Sequence, residues 1–250
     1  KSAKVIPVYK KNNPNQVENY RPISLLSSIS KILEKIVYNR LMKHLNANNI
    51  LTQKQFGFRP QYSTEMALSY AVEQILTALD KKENTIGIYL DLSKAFDSLD
   101  HRILLYKLQF YGIRGAPYQW FKNYLFRRRQ CTYLNNVYSE SLSVNCGVPQ
   151  GSILGPLLFL LYINDIVNTS QFLHFILYAD DTNIFVSHND IKTLVNIVNR
   201  ELHYVSNWFK ANKLLVNLEK SKFMIFSLKN DRPPDFDIQV MEKAPKVYMF

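Results

Sequence analysis

Apolar residues that recur at every third or fourth position predict long helices in this chain. The apolar stripes are Ile29, Ile32, Leu33, Ile36, Val37 and Leu41 in residues 28–46; Leu68, Ala71, Val72, Ile75 and Leu79 in residues 64–80; and Ile191, Leu194, Val195, Val198, Leu202, Val205 and Trp208 in residues 190–211. We expect each stripe to face a core. Residues 98–110, 116–126 and 152–166 are also predicted to be helical.

Shorter apolar runs, bounded by polar turn residues, predict strands between these helices. The runs are residues 1–9, 86–90, 173–186 and 223–226, and residues 129–145 fit a hairpin that turns at Asn135-Asn136. Two adjacent aspartates interrupt the run at 173–186, which therefore predicts two strands joined by a turn. Several helices mixed with short strands favour an α+β fold over a doubly wound sheet.

The adjacent aspartates, Asp180 and Asp181, are the first candidates for chemistry. Two like charges at the edge of an apolar hairpin repel each other, and burial increases the cost. A divalent cation reverses that cost because hard cations bind carboxylate oxygens. If the strand that ends at Asp91 lies beside the hairpin, three carboxylates converge at one sheet edge, as in two-metal phosphoryl transfer. The alternative is a solvated Asp-Asp turn without function.

The composition adds a basic charge and few cysteines. The net charge is +11 and the pI is about 9.5, which favours a polyanionic partner such as nucleic acid. Cys131 and Cys146 lack the spacing of a metal site or a disulfide framework, so we predict free thiols and an intracellular protein. We expect it in the cytoplasm and nucleus. No apolar run reaches the roughly 18 residues that a membrane span needs, and we recognise no signal peptide. We therefore expect no membrane partner.

Three motifs occur in the order that they have in reverse transcriptases, and the chain resembles that family. They are Asp91-Leu-Ser-Lys-Ala-Phe-Asp97, Gly147-Val-Pro-Gln-Gly-Ser152 and Tyr178-Ala-Asp-Asp181. The flanking segments resemble the non-LTR (LINE-type) retrotransposon branch of the family. These segments are Asn19-Tyr-Arg-Pro-Ile-Ser24, Gln55-Phe-Gly-Phe-Arg-Pro60 with Ser63-Thr64, and Leu154-Gly-Pro-Leu-Leu158 with Ile163-Asn-Asp165. The resemblance covers nearly the whole chain.

The resemblance implies a right-hand polymerase fold of fingers and palm, with an antiparallel palm sheet packed on helices. It assigns residues 1–83 and 112–146 to the fingers, and 84–111 and 147–245 to the palm. Residues 246–250 would start the primer-grip strand, and the thumb would be missing. We therefore expect a piece of a longer protein that also carries a thumb and an endonuclease domain. Alone, this piece would synthesise DNA weakly or not at all.

The implied activity is RNA-directed DNA polymerisation, the transfer of nucleotides from dNTPs onto the 3′-hydroxyl of a DNA primer along an RNA template. Asp91 and Asp180 match the catalytic, metal-binding aspartates of the family. Asp181 matches a third carboxylate that usually binds more weakly. The implied cofactor is a pair of Mg²⁺ ions, for which Mn²⁺ is a substitute.

Three more residues match positions that line the nucleotide pocket in the family. Phe96 matches an aromatic gate that would clash with a ribose 2′-hydroxyl, whereas plain core packing is the usual fate of Phe. Gln150 and Gly151 match the motif beside the bound nucleotide, where glycine permits close approach of the backbone and the amide offers hydrogen bonds. A plain strand-to-helix connection is the alternative for this motif.

The resemblance also assigns cations to the triphosphate. Arg21, with Lys10 or Lys11, falls where the fingers contact its oxygens, which suit a guanidinium fork. Lys220 resembles a late-palm lysine that protonates pyrophosphate. A solvated surface charge is the alternative for each of the three lysines.

Four arginines are candidates for template contacts. Arg127, Arg128 and Arg129 follow a predicted helix with aromatic side chains, a combination that suits phosphate contacts and base stacking. A solvated turn or a nuclear address is the alternative. Arg59 would shape the template-facing fingers.

Three other functions are alternatives to this one. A viral RNA-dependent RNA polymerase shares the palm but usually lacks an aromatic gate, so Phe96 argues against it. A group II intron maturase-like reverse transcriptase is closer, although the flanking segments fit the retrotransposon pattern better. The third is a truncated, catalytically inactive remnant that binds nucleic acid, and the three intact aspartates disfavour a decayed copy.

Overall fold

The computed structural model describes residues 1–228 and Ile238, together with the backbone of 246–249. Contacts divide the chain into two compact units. The first contains Lys1–Leu51 and Phe96–Tyr162, and the second contains Thr52–Ala95 and the residues from Ile163 onward. The fingers and palm ranges stay predictions, and the palm residues 229–237 and 239–245, like Phe250, lie outside the described residues.

The predicted helices and strands are present, each with bounds within three residues of the prediction. In chain order they are β1 (Ser2–Tyr9), β2 (Tyr20–Leu25), α1 (Ser28–Ala47), α2 (Thr64–Asp80), β3 (Asn84–Leu90), α3 (His101–Phe110), α4 (Gly115–Leu125), β4 (Arg128–Leu134), β5 (Val137–Tyr138), β6 (Leu142–Val144), α5 (Leu154–Ile163), β7 (His174–Tyr178), β8 (Asp181–His188), α6 (Ile191–Ala211), β9 (Lys222–Phe226) and β10 (Lys246–Met249). The α+β prediction is confirmed. Over the described residues, no helix combines the length and the apolar character that crossing a membrane requires.

The first unit contains a sheet in the order β2-β1-β4-β5, with β6 also paired to β4. β1 runs antiparallel to β2 and parallel to β4, and β4 runs antiparallel to β5 and β6. The turn between β4 and β5 places Asn135 and Asn136 at φ values of 49° and 64°. Asn tolerates this left-handed conformation, which tight hairpin turns require. The predicted hairpin is confirmed.

Helix α5 is apolar on every side, and it lies buried in the first unit. The amides at a helix N-terminus need acceptors, and they favour a negative charge. Glu34 of α1 supplies both, because its carboxylate accepts hydrogen bonds from the amides of Ile153 (2.7 Å) and Leu154 (3.3 Å). The Tyr124 hydroxyl donates to the other carboxylate oxygen at 3.1 Å. Glu34, only 1% exposed, therefore ties α1 and α4 to the start of α5.

This hydrogen bonding overturns the prediction that the apolar stripe of α1 faces a core. Four members of the stripe are 48–74% exposed, namely Ile29, Ile32, Leu33 and Ile36. The buried face carries Glu34 and Leu45 together with Leu41, for which the prediction is confirmed. Turning the apolar stripe inward would remove Glu34 from the amides of α5, so the buried carboxylate decides the rotation of α1.

The second unit contains a sheet in the order β10-β9-β3-β8-β7. β3 runs antiparallel to β8 and β9, and β7 and β8 form an antiparallel hairpin. At the other edge β10 runs parallel to β9, so the predicted antiparallel sheet ends in one parallel pair. β10 begins at Lys246, where the sequence predicts a strand; its role in gripping a primer stays a prediction.

Helices cover this sheet on both faces. Neighbouring strand residues point to opposite faces, and both Ile184 and Phe185 are buried. α2 packs against β3, β7 and β8, and α6 packs against β3 and β8. Part of the α2 prediction is wrong, because Leu68 is 66% exposed and Val72 is 42% exposed. In α6 the predicted face is buried, except that Ile191 and Trp208, at its two ends, are only half-buried.

We predict that Glu34→Ala lowers the free energy of unfolding by about 2–3 kcal/mol, because it leaves buried donors without an acceptor. Urea unfolding measures this loss. Glu34→Gln keeps one acceptor oxygen and should cost less. Glu73→Ala, which removes an exposed carboxylate from α2, is the matched control and should change stability by less than about 0.5 kcal/mol. Equal effects of the Glu34 and Glu73 substitutions would contradict this account.

Candidate active site

Asp91 follows β3 directly, and its backbone is held by the segment 215–221 of the second unit. The Asn217 amide donates to the Asp91 carbonyl (2.7 Å), and the Asp91 amide donates to the Ser221 hydroxyl (3.3 Å). Ser221 is fully buried, and its hydroxyl donates in turn to the Asn217 carbonyl at 2.8 Å. This closed set of hydrogen bonds fixes the point from which the Asp91 carboxylate projects.

Asp180 and Asp181 lie where β7 turns into β8, as predicted. Tyr178 pairs with Asp181, so Ala179 and Asp180 form a two-residue loop. The register between β3 and β8 pairs Leu90 with Thr182. The residues that follow Leu90 and precede Thr182 therefore reach the same edge of the sheet. The predicted convergence of three carboxylates is confirmed, whereas their catalytic role stays a prediction.

Electrostatic coupling shows how close these carboxylates lie. Asp181 is an exposed residue, but partial desolvation of its carboxyl raises its pKa, and the negative charges of Asp180 and Asp91 raise it further. The β3–β8 register places Asp91 at the same edge as Asp181, and Asp180 is the chain neighbour of Asp181, so both charges lie near it. The three groups form one repulsive cluster.

Lys220 offsets part of this repulsion. Its Nζ lies 3.3 Å from Oδ2 of Asp91. The two side chains are 54% and 34% exposed, so water screens the pair and it adds little to stability. The local effect is to place a cation where the carboxylates need one.

The donor set suits a hard divalent cation, because carboxylates supply only oxygen ligands. Nevertheless, across residues 1–228 and Ile238 no three His, Cys, Asp or Glu side chains are arranged as a metal-binding group. The backbone brings the carboxylates to one edge, and binding a cation would have to draw their side chains together.

In the first unit, Phe96 is half-buried. Its ring packs on the fully buried Phe159, with the ring centres 4.9 Å apart. Its carbonyl accepts a hydrogen bond from the Val148 amide at 2.8 Å. Phe96 therefore packs on the core and is still partly accessible, so the packing role is present and the gate role stays a prediction.

Gln150 is held by Asp97, a residue whose role was not predicted. The Gln150 side chain donates to both carboxylate oxygens of Asp97, at 3.0 and 2.9 Å. The Gln150 carbonyl accepts from the Ser24 amide at 2.8 Å. Gly151 follows at φ 105°, where a Cβ would lie 3.0 Å from the Ser24 carbonyl oxygen. This turn therefore requires glycine at 151.

His101 supports the same turn and was also not predicted. Its Nε2–H donates to the Gly147 carbonyl at 2.7 Å, and the residue is 3% exposed. Burial lowers the pKa of His101 more than the hydrogen bond to Gly147 and the charge of Asp100 raise it. Burial therefore disfavours the protonated imidazole in the folded unit.

The three cations that the fingers assignment gives to the triphosphate lie together at the turn end of the β1–β2 hairpin. Val8 pairs with Arg21 and Tyr9 with Tyr20, so Lys10 and Lys11 begin the connecting loop. Lys10, Lys11 and Arg21 are all exposed. The hairpin therefore concentrates positive charge at one end, as an anion-binding role requires.

The three consecutive arginines have different surroundings. Arg128 is only 8% exposed, and its guanidinium lies 5.0 Å from the Tyr124 ring centre and donates to the Tyr124 carbonyl at 3.3 Å. Its burial argues against a template contact. Arg129 is exposed and donates to the hydroxyl (3.1 Å) and carbonyl (2.7 Å) of Ser141. Arg127 is exposed at φ 55°.

Arg59, in the second unit, is bound to its own loop. Its guanidinium donates to the Thr52 carbonyl at 2.6 Å and lies 4.2 Å from the ring centre of Tyr62. These contacts agree with a loop-shaping role and leave less of the guanidinium for a ligand.

Asp97, His101 and Ser221 hold site residues through hydrogen bonds, and the sequence did not predict these roles. Asp97 closes the motif that begins at Asp91, so its position in that motif was an available signal. His101 and Ser221 carried no signal, because ordinary spacing does not reveal which polar residues become buried hydrogen-bond partners.

The segment that carries these motifs matches a known protein family and several curated proteins. The family model described as "Reverse transcriptase (RNA-dependent DNA polymerase)" matches residues 8–245. The chain is 34% identical over 238 residues to the probable RNA-directed DNA polymerase from transposon X-element of Drosophila melanogaster. This match covers 93% of this chain and 26% of that protein. The chain is 32% identical over 239 residues to the RNA-directed DNA polymerase from mobile element jockey of the same species, covering 91% and 26%. The chain thus spans about a quarter of the length of these curated relatives.

Solved structures share the fold at low sequence identity. The telomerase from Candida albicans, in complex with a TWJ fragment of telomeric RNA, superposes with a TM-score of 0.63 at 11% identity, over 95% of this chain and 43% of the other. Apo telomerase from Candida tropicalis, truncated from its C-terminal domain, gives 0.63 at 13% identity, over 92% and 51%.

We predict that the first unit loses stability as the pH falls below about 6.5, the ordinary histidine pKa. The folded pKa of His101 is lowered, so the unfolded chain takes up the proton first, and acid shifts the equilibrium towards it. Urea unfolding at pH 7.5 and pH 5.0 measures the difference. His101→Gln should reduce the pH dependence, while His203→Gln, which changes an exposed histidine, should leave it as in the unsubstituted chain. An unchanged pH dependence in His101→Gln would contradict the assignment.

Proposed function

Because this chain belongs to the reverse transcriptase (RNA-dependent DNA polymerase) family, in its non-LTR retrotransposon branch, we propose that it catalyses RNA-directed DNA synthesis. The observation that carries this proposal is the cluster of Asp91, Asp180 and Asp181 at one sheet edge. Three repelling carboxylates destabilise a fold unless cations neutralise them, so their placement at one edge favours a metal-dependent function.

We assign two Mg²⁺ ions to this cluster, with Mn²⁺ as a substitute. Asp91 and Asp180 would hold them, and Asp181 would contribute the weaker third carboxylate. Bound divalent cations supply Lewis acidity, which favours the deprotonated primer 3′-hydroxyl and neutralises charge on the triphosphate. Once Asp91 binds a cation, Lys220 would no longer be needed to neutralise Asp91. Its ammonium group could then hold or donate a proton near pyrophosphate.

The sugar and base of the incoming dNTP are assigned to the first unit. The accessible part of Phe96 would collide with a ribose 2′-hydroxyl, and its packing on Phe159 keeps the ring from moving aside. Gln150, oriented by Asp97, would offer hydrogen bonds to the sugar or base, and Gly151 would permit close approach. The proposed selection of deoxynucleotides is therefore steric.

Cations on the surface are assigned to phosphates. Arg21 with Lys10 or Lys11 would bind the triphosphate, since a guanidinium fork and flexible ammonium groups suit its oxygens. Arg127 and Arg129 would contact the RNA template or DNA primer, and Arg59 would shape its own template-facing loop in the second unit. Arg128 is left out of this assignment because its guanidinium is buried.

The relatives are about four times as long as this chain, which supports the proposal that the natural protein carries a thumb and an endonuclease domain. A thumb would hold the primer–template duplex, so extension over long templates would depend on it. Two free cysteines, Cys131 and Cys146, agree with action in the reducing cytoplasm and nucleus.

We predict that Asp180→Asn lowers Mg²⁺-dependent primer extension on an RNA template by about 100-fold or more, because an amide is a poor ligand for a cation that needs anionic oxygen. Incorporation of labelled dNTPs by the natural polypeptide measures the loss. Asp80→Asn, which neutralises an exposed aspartate at the end of α2, is the matched control and should keep full activity. Undiminished incorporation by Asp180→Asn would exclude the proposed catalytic cluster.

We predict that Phe96→Ala raises ribonucleotide incorporation relative to deoxynucleotide incorporation by about tenfold or more, because it removes the steric barrier to the 2′-hydroxyl. Single-nucleotide extension with matched rNTP and dNTP pairs measures the ratio. Phe96→Tyr keeps the ring and should keep the discrimination. If sugar discrimination survives in Phe96→Ala, Phe96 has a packing role only.

A further inference from the structure

Gln55 of the second unit is a buried polar residue that contacts the loop carrying Asp180. It is 2% exposed. Its side-chain oxygen accepts hydrogen bonds from the amides of Gly57 (2.7 Å) and Ala179 (3.0 Å), and its side-chain nitrogen donates to the Ala179 carbonyl at 3.4 Å. One side chain therefore meets both polar groups of the Ala179 backbone.

The backbone around Gln55 follows the end of β7. The Leu177 amide donates to the Lys54 carbonyl, and the Phe56 amide donates to the Leu177 carbonyl, both at 2.8 Å. Gln55 and Leu177 form a parallel bridge. The segment 54–57 therefore extends the sheet edge for a short distance, next to the loop.

Gly57 permits this close approach. A Cβ at position 57 would lie 2.2 Å from the Ala179 nitrogen, a distance at which two atoms overlap severely. Any larger residue at 57 would push the segment and the loop apart, and Gln55 would lose its contacts with Ala179.

The contacted residue is strained. Ala179 has φ 56°, a left-handed conformation that a residue with a Cβ adopts at a cost. Ala179 is also buried, at 6% exposure, so its amide and carbonyl need partners within the protein. Gln55 provides both partners in this one conformation. The direction in which the chain enters Asp180 therefore depends on Gln55.

We propose that Gln55 is a positioning residue for Asp180, acting through the Ala179 loop. This proposal rests on the polymerase function proposed above. Gln55 touches neither substrate nor cation; it holds the loop so that the Asp180 carboxylate meets a cation in the geometry that it requires. Residues that orient a ligand in this way affect metal affinity or activity by about 10- to 100-fold.

The placement of Gln55 is testable in the unsubstituted protein without any measurement of activity. By NMR hydrogen exchange, the Ala179 amide and the Gln55 side-chain amide protons should exchange slowly. The side-chain protons of Gln53, an exposed glutamine two residues away, should exchange rapidly. Exchange of the Gln55 protons at the Gln53 rate would overturn the proposal, whether or not any variant folds.

The effect on function is tested by the dependence of primer extension on Mg²⁺ in the natural polypeptide. Gln55→Met should raise the Mg²⁺ concentration for half-maximal activity and lower kcat, each by about tenfold or more, with the KM for dNTP within about twofold. Gln53→Met is the matched control and should change none of these. A purely structural role would lower the active fraction, and with it kcat, but would leave the Mg²⁺ dependence unchanged; that result would overturn the proposal.

A second substitution tests the route through Ala179. Glycine adopts a positive φ without the Cβ penalty, so Ala179→Gly should restore part of the Mg²⁺ affinity of Gln55→Met. Absence of rescue would contradict an action through this loop. If the unsubstituted protein incorporates no dNTP, the polymerase proposal fails and the positioning role fails with it, while the exchange measurement still decides where Gln55 binds.

Discussion

Three carboxylates at one sheet edge repel each other, and the second unit must hold them there against that repulsion. It does so through the backbone on both sides. The segment 215–221 fixes the peptide of Asp91 through Asn217 and Ser221, and Gln55 fixes the peptide before Asp180. Among the ion pairs of the described residues, Lys220 is the one that places a positive charge against Asp91. The fold thus fixes the carboxylates in place, whereas a cation would complete their neutralisation.

The first unit depends on a buried charge in a similar way. Glu34 bonds to the start of α5, which directly follows the turn that carries Gln150 and Gly151. The same turn is held by Asp97 through Gln150 and by His101 through Gly147. Buried polar groups with all their partners in place specify one arrangement more sharply than apolar contacts do, because each misplacement leaves a donor or acceptor unpaired. The residues assigned to the nucleotide are therefore oriented by polar residues behind them.

Family membership and local geometry contribute different parts of the proposed function. The motif order and the 34% identity to a transposon polymerase over most of the chain support the reaction class. The telomerase structures resemble this chain in structure at only 11–13% sequence identity, so they support the fold alone. What the geometry adds is a division of the matched residues: Asp91, Asp180 and Asp181 share one edge, Phe96 is partly committed to packing, and Arg128 is buried.

The sequence by itself determined the helices and strands, the α+β class, the family and the aspartates, because apolar periodicity and motif spacing are local properties. It did not determine which face of α1 turns inward, since Ile29 and its neighbours form the better apolar stripe, yet Glu34 is the residue that α5 needs. Nor did it reveal that Gln55 reaches Ala179, because the two are brought together across 124 residues of chain. Those choices belong to the tertiary structure, where a buried donor or acceptor must find its partner at whatever distance along the chain the partner lies.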